Sequence, residues 1–175
     1  MDIFEKIKVV VFDVDGVLSD GKYVVSSDGT ISKSFYTRDF YGMEQLFRND
    51  IKVVIISRSK DGVILKKIHD LISNNHVWGE AYANMNLNCY QDCRNKRDII
   101  NKYLIIQKLD WENVAYMGDA ENDFECLKLA AFSGCPSDAI EEVKELVQYP
   151  SDYKGGNGAV YDFCKYILKM KKEKK

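Results

Sequence analysis

The stretch that most constrains this chain lies near its start: Lys8-Val9-Val10-Val11-Phe12-Asp13-Val14-Asp15-Gly16-Val17-Leu18. Its β-branched and aromatic run of about six residues has no polar alternation, the pattern of a strand buried on both faces. Such strands belong to parallel sheets covered by helices, where ligands bind outside the carboxyl ends of the strands. Asp13 and Asp15 follow the run directly. The expectation is therefore an α/β fold with both carboxylates at its functional edge. Alternate residues of an extended chain share a face, so the two point the same way if strand geometry persists. Two anions that close resist ionising unless a cation lies between them. A hard divalent ion with oxygen ligands, Mg2+ above all, meets that need. The plain alternative is a polar strand end with two solvated aspartates.

The pattern recurs. Ile51-Lys52-Val53-Val54-Ile55-Ile56 reads as a second buried strand ending at Ser57, and Trp111 to Met117 as a third running into Gly118-Asp119. A Ser57 hydroxyl with the amides after it can hold a phosphate oxygen, or it can cap a helix from about Lys60. That helix carries Ile64, Ile68, Leu71 and Ile72 at core spacing. Before it, Lys22 to Val25 and Thr30 to Tyr36 read as strands joined through Ser26-Ser27-Asp28-Gly29, a hairpin over about 21–37. An isolated hairpin is marginal in water, so a neighbouring subunit is expected to hold it. Asp39 or a near neighbour is expected to cap the helix bearing Met43, Leu46 and Phe47.

Asn74 to Asp92 is read as a strand in Val77 to Tyr82 followed by a loop over Asn84 to Asn88. Cys93 to Gln107 then forms a helix with Lys96 in its first turn. The macrodipole opposes a lysine there, which makes sense if Lys96 turns toward a phosphate and the Asp13/Asp15 carboxylates; an ordinary solvated lysine is the alternative. Asn122 and Asp123 open a helix through Leu129, and Ala131 to Pro136 make a short strand and turn. Val160, Phe163, Cys164, Ile167 and Leu168 mark a last helix. That helix and its basic tail occupy about 158–175, with Lys169 to Lys175 frayed.

Composition excludes several classes. The 175 residues suit one domain, 1–175. A net charge of -2 leaves no general basic footprint for nucleic acid. No apolar run has the length of a membrane span, and the start lacks a signal-peptide shape. Five cysteines, an odd number irregularly placed, favour reduced thiols and a cytoplasmic setting. Cys89 and Cys93 lack a second Cys/His pair for a metal site.

Asp13-Val14-Asp15-Gly16-Val17-Leu18 resembles the first motif of the haloacid-dehalogenase-type phosphohydrolases. Gly118-Asp119-Ala120-Glu121-Asn122-Asp123 resembles their fourth, with Ser57 and Lys96 in the places of the second and third. Four motifs in order over about 110 residues is a far stronger signal than any one of them. The resemblance implies a Rossmann-like three-layer sandwich around a mostly parallel sheet, with a hairpin flap after the first strand. The gaps from Asp20 to Ser57 and from Ser57 to Lys96 are each under about 40 residues, little more than a βαβ unit, so neither holds a cap domain.

The flap followed by Phe35-Tyr36-Thr37-Arg38-Asp39-Phe40-Tyr41-Gly42-Met43, and the late Lys154-Gly155-Gly156-Asn157-Gly158-Ala159-Val160, resemble a capless subfamily. It includes 3-deoxy-D-manno-octulosonate 8-phosphate and nonulosonate 9-phosphate phosphatases. It also includes the C-terminal domain of animal acylneuraminate cytidylyltransferases. The resemblance implies that Asp13 is the nucleophile and Asp15 the general acid and base. It implies Mg2+ on the Asp13 carboxylate, the Asp15 carbonyl and Asp119, with Asn122 and Asp123 behind the ion or acting through water. Ser57 and Lys96 would hold phosphate oxygens. It further implies a homotetramer in which hairpins join and a C-terminal segment reaches a neighbour's site.

The chain departs from the family where specificity would be set. Ser57-Arg58-Ser59 stands where Thr-Gly-Arg is usual, Arg38-Asp39-Phe40 where Arg-Asp-Gly is usual, and Tyr161 where the tail carries arginine. The segment 74–92 also looks long. Arg38 and Arg58 are the candidate substrate-binding cations. The first reading is a Mg2+-dependent phosphatase of a phosphorylated sugar acid. The second is a non-catalytic oligomerisation module, against which the joint presence of Asp13, Asp15, Ser57, Lys96, Asp119 and Asp123 argues.

Overall fold

The structure, a computed structural model, describes residues 2–173. The strands are β1 (Val9–Asp13), β2 (Val24–Val25), β3 (Ile31–Ser32), β4 (Lys52–Ile56), β5 (Leu87–Tyr90), β6 (Val114–Met117), β7 (Phe132–Cys135) and β8 (Tyr149–Pro150). The helices are α1 (Ile3–Lys6), α2 (Thr37–Phe47), α3 (Val63–Asn74), α4 (His76–Ala83), α5 (Lys96–Gln107), α6 (Phe124–Leu129), α7 (Glu141–Leu146) and α8 (Ala159–Lys172). Six strands form one sheet in the order β5-β4-β1-β6-β7-β8, and every neighbouring pair is parallel. The hairpin β2–β3 stands apart as its own two-stranded sheet.

The two faces of β1 explain its unbroken apolar run. Val10 and Phe12 pack with Met43, Trp78 and Phe163 into a core beneath α2, α3, α4 and α8. Val9 and Val11 pack with Ile100, Tyr103, Leu127 and Val143 into a second core beneath α5, α6 and α7. Strand geometry sends alternate residues to opposite sides, and each side is dry. β1 has β4 on one flank and β6 on the other, so the chain order reverses around it. Such a switch point opens a crevice at the carboxyl ends of the strands, where β1 delivers Asp13.

Four expectations need correction. Val77 to Tyr82 is not a strand but part of α4. Asn75 accepts a hydrogen bond from the Val77 N–H and caps that helix, and Val77, Trp78 and Ala81 bury one helical face. The loop expected over Asn84 to Asn88 gives way at Leu87 to the edge strand β5, in register with β4 from Val53↔Leu87 to Ile56↔Tyr90. Its asparagine content misleads because strand propensity yields to backbone pairing and burial. The tail is ordered further than expected. α8 runs to Lys172, and the Lys171 ammonium donates to the carbonyls of Phe4 at 2.7 Å and Ile7 at 2.9 Å, near the carboxyl end of α1. Lys174 and Lys175 lie outside the described residues. The hairpin strands are also shorter than read, two residues each.

Candidate active site

The site forms where β1, β4 and β6 end. Asp13 closes β1 and is buried. Ser57 follows β4 directly, its N–H donating to the Tyr90 carbonyl at 2.9 Å. Lys96 begins α5 behind the cap Asn95, and Asp119 lies just past β6. These loops are far apart in the chain and adjacent only because the strands are parallel and in register.

Lys96 is not a solvated lysine. It is buried, with its ammonium 2.7 Å from Asp13 Oδ1 and 2.8 Å from Asp123 Oδ1. Burial works against its charge, but the Asp13 and Asp123 carboxylates outweigh burial and raise its pKa. Nor does Ser57 cap α3. That helix starts beyond it, at Val63, whose N–H donates to Asp61 at 2.9 Å, while the Ser57 hydroxyl accepts from the Ser59 N–H at 3.0 Å.

Asp123 is fully buried and uses both oxygens. Oδ1 accepts from Lys96 and from the Tyr116 hydroxyl at 2.6 Å; Oδ2 accepts from the N–H groups of Asp119 at 3.1 Å and Ala120 at 3.4 Å. It is thus the post on which Lys96 and the Asp119 loop are set. Gly118 is required beside it, because a Cβ there would overlap the Asp123 carboxylate. Gly16 is required for a matching reason: its φ is +91° and a Cβ would overlap the Asp119 carboxylate.

Ligand-capable oxygens of Asp13, Asp119 and Asp123 lie within 4.8 Å of one another. Burial pushes the Asp13 carboxyl well above the usual carboxylate range, and the charge of Asp123 adds to this. Burial likewise raises Asp119 to about 6, with Asp123 again contributing. Asp119 Oδ1 is buried and accepts no hydrogen bond among the described residues. Three carboxyl groups thus face one ammonium, and one oxygen is left without a donor. An all-oxygen, electron-rich site of this kind fits a hard divalent cation. Because Asp123 is saturated with donors, Asp13 and Asp119 are the carboxylates left to hold it.

Asp15 turns differently. Its Oδ1 lies 2.6 Å from the Lys33 ammonium and 3.3 Å from the Ser19 hydroxyl. The cleft above, about 610 Å3, is lined by Asp13, Asp15, Arg58, Arg94, Asp119 and the Ala120–Asn122 segment. Arg58 and Asn122 therefore face this cleft. Arg38 does not line this cleft; it is exposed in the first turn of α2. Sequence reasoning missed Lys33, Asp61, Arg94 and Tyr116. Tyr116 had a faint signal, as the one hydroxyl inside the buried run of β6; the others had none.

Fold and site together define a class, and the chain belongs to the haloacid dehalogenase-like hydrolase family, whose model matches residues 5–163. Among its relatives is the 3-deoxy-D-manno-octulosonate 8-phosphate phosphatase KdsC of Escherichia coli K12, 31% identical over 168 residues, which cover 94% of this chain and 80% of that protein. The N-acylneuraminate cytidylyltransferase of Oncorhynchus mykiss is 31% identical over 185 residues, covering 100% of this chain but only 38% of that enzyme. The chain thus spans little more than a third of the cytidylyltransferases it matches. Among solved structures, the Moraxella catarrhalis 3-deoxy-D-manno-octulosonate 8-phosphate phosphatase, in complex with magnesium, phosphate and KDO, has a TM-score of 0.82. It is 27% identical, and the match covers 95% of this chain and 90% of that one. The Yersinia pestis phosphatase of the same name has a TM-score of 0.84 and 28% identity, covering 97% and 85%.

Proposed function

We propose that the chain is a Mg2+-dependent phosphatase of a phosphorylated sugar acid, of the octulosonate 8-phosphate or nonulosonate 9-phosphate type. The observation that carries this reading is the meeting of Asp13 with Lys96 and Asp119 at the switch point of the sheet. An Asp13 oxygen attacks phosphorus as the bond from phosphorus to the sugar oxygen breaks, and Asp15 gives its proton to that leaving oxygen. Asp15 then takes a proton from water. The water oxygen attacks phosphorus, the bond to Asp13 breaks, and inorganic phosphate leaves. Two easier displacements replace one hard one. The carboxylates of Asp13 and Asp119 and the Asp15 carbonyl would hold Mg2+, which when bound would neutralise charge on the transferring group. Lys96 orients Asp13 and, with Ser57, binds phosphate oxygens. Asp123 steadies the Asp119 loop through the Asp119 and Ala120 N–H groups, and Asn122, on the cleft wall, would support the ion from behind or through water.

Specificity falls to the arginines at the cleft. Arg58 and Arg94 are exposed there, and neither pairs with a carboxylate among the described residues, although acidic side chains line the same walls. Two unpaired guanidiniums suit a second anionic group on the substrate, such as a sugar carboxylate. The five cysteines are all thiols, which suits a cytoplasmic enzyme. No helix among the described residues is long and apolar enough to cross a membrane. Exposed Tyr23, Val24 and Val25 on the hairpin support assembly into a homotetramer.

The match to a cytidylyltransferase segment supports a second reading, a non-catalytic oligomerisation module. Phosphate release from octulosonate 8-phosphate, nonulosonate 9-phosphates and neutral hexose phosphates separates the two. Wild type should release phosphate with Mg2+ and not with EDTA. Asp13→Asn should lose at least about a thousandfold in rate, as expected when a nucleophile is removed. No release from any substrate by folded wild-type protein would favour the module.

A further inference from the structure

We infer that Lys33 is a positioning residue which, anchored by Asp61, ties the flap to the catalytic loop within a single chain and orients Asp15; the catalytic half of this rests on the role proposed above for Asp15. Lys33 follows β3 and leaves the hairpin for the body of the molecule. Its ammonium lies 2.6 Å from Asp15 Oδ1 and 2.5 Å from Asp61 Oδ2, and its side chain is only 3% exposed. Asp61 is itself fixed: the Ser59 hydroxyl donates to Oδ2 at 2.6 Å and the Val63 N–H to Oδ1 at 2.9 Å. The anchor is therefore the loop between β4 and α3, which also carries Ser57 and Arg58.

The consequence for Asp15 is directional. Lys33 and the Ser19 hydroxyl both donate to Oδ1. No described donor reaches Oδ2, which leaves that oxygen for proton transfer in the cleft. A dry ammonium held between two carboxylates is a stiff joint: removing Lys33 strands the Asp61 charge, whose side chain is 7% exposed, largely out of water, while Asp15, 34% exposed, keeps its access to the cleft. The consequence for the flap is mechanical. The hairpin pairs with no strand of the main sheet, and a pair of two-residue strands has little stability of its own. The Lys33 joint, helped by the edge contact of Phe35 on Phe40 at 5.8 Å, holds the flap beside the site before any neighbouring subunit arrives.

The test uses the full chain and the variants Lys33→Met, Lys33→Arg and Asp61→Asn, with the exposed flap variant Lys22→Ala as control. Two readouts are taken: amide exchange over Val24–Ser32, and kcat and KM for Mg2+-dependent release from octulosonate 8-phosphate. Lys33→Met should speed flap exchange about tenfold or more and lower kcat about tenfold or more, with KM within about threefold. Lys33→Arg should restore part of both, and adding Asp61→Asn to Lys33→Met should cost nothing more, because the two act as one unit. Unchanged flap exchange in Lys33→Met would overturn the tether. A raised KM with unchanged kcat would overturn positioning, since it would make Lys33 a substrate contact. If wild type hydrolyses none of the sugar phosphates, the sugar-acid reading fails and the exchange result alone decides the tether.

Discussion

Both oxygens of Asp123 are committed to neighbours, so one buried side chain sets Lys96, Tyr116 and the Asp119 backbone at once. The glycines beside the aspartates are as specific as the aspartates. Replacing Gly16 with alanine forces a side chain into a backbone at φ +91° and into the space of the Asp119 carboxylate. Strain of this kind costs roughly 1–3 kcal/mol. Gly16→Ala should therefore lower the urea midpoint, and it should also abolish the stabilisation expected of wild type from the proposed Mg2+. That gain is about 2.7 kcal/mol at a hundredfold excess over Kd for a ligand that binds only the native state. Thermal unfolding with Mg2+ and with EDTA reads the difference.

At the scale of elements, α8 depends on α2. Asp39 lies in the first turn of α2 but does not cap it; its buried carboxylate accepts from the N–H groups of Gly158 at 3.3 Å and Tyr161 at 2.8 Å. The N-cap of α8 is Gly158, which has no side-chain oxygen, so a carboxylate from another helix takes that place. Burial raises the Asp39 pKa from 3.8 to about 6, against the lowering effect of those N–H groups. The folded state then holds the proton to higher pH than the unfolded chain. The contribution is complete below about pH 4 and is lost as pH rises through about 6, an amount near 3 kcal/mol. Asp39→Asn removes this titration. The difference in unfolding free energy between wild type and variant should fall by about that amount from pH 4 to pH 7, measured by urea unfolding at each pH.

For the whole molecule, the exposed hairpin side chains Tyr23, Val24 and Val25 are the surface on which the proposed tetramer depends. A charge placed among them should break the assembly while leaving each chain folded. Val24→Asp should reduce the mass seen by light scattering from four chains to one, with unchanged far-UV circular dichroism. A wild-type protein that is monomeric at micromolar concentration would remove the tetramer from this account, and the Lys33 joint would then hold the flap alone.

The buried strands β1, β4 and β6 and the residues at their ends were legible in the sequence, because an unbroken apolar run followed by Asp13, Ser57 or Gly118-Asp119 is a local signal. A lysine at a helix start, Lys96, was legible as a mismatch with the helix dipole. Other features were settled only by tertiary structure. Val77 to Tyr82 carries residues that suit a strand or a helix, and the face it buries made it α4. Leu87 to Tyr90 became a strand by pairing its backbone with β4. Arg58 and Arg94 came to the cleft while Arg38 did not, and Lys33 reached Asp15 and Asp61 across three separate segments. The physical reason is range. Burial and turn chemistry act within a few residues and leave a pattern in the chain, whereas an ion pair or an edge strand depends on where distant segments pack.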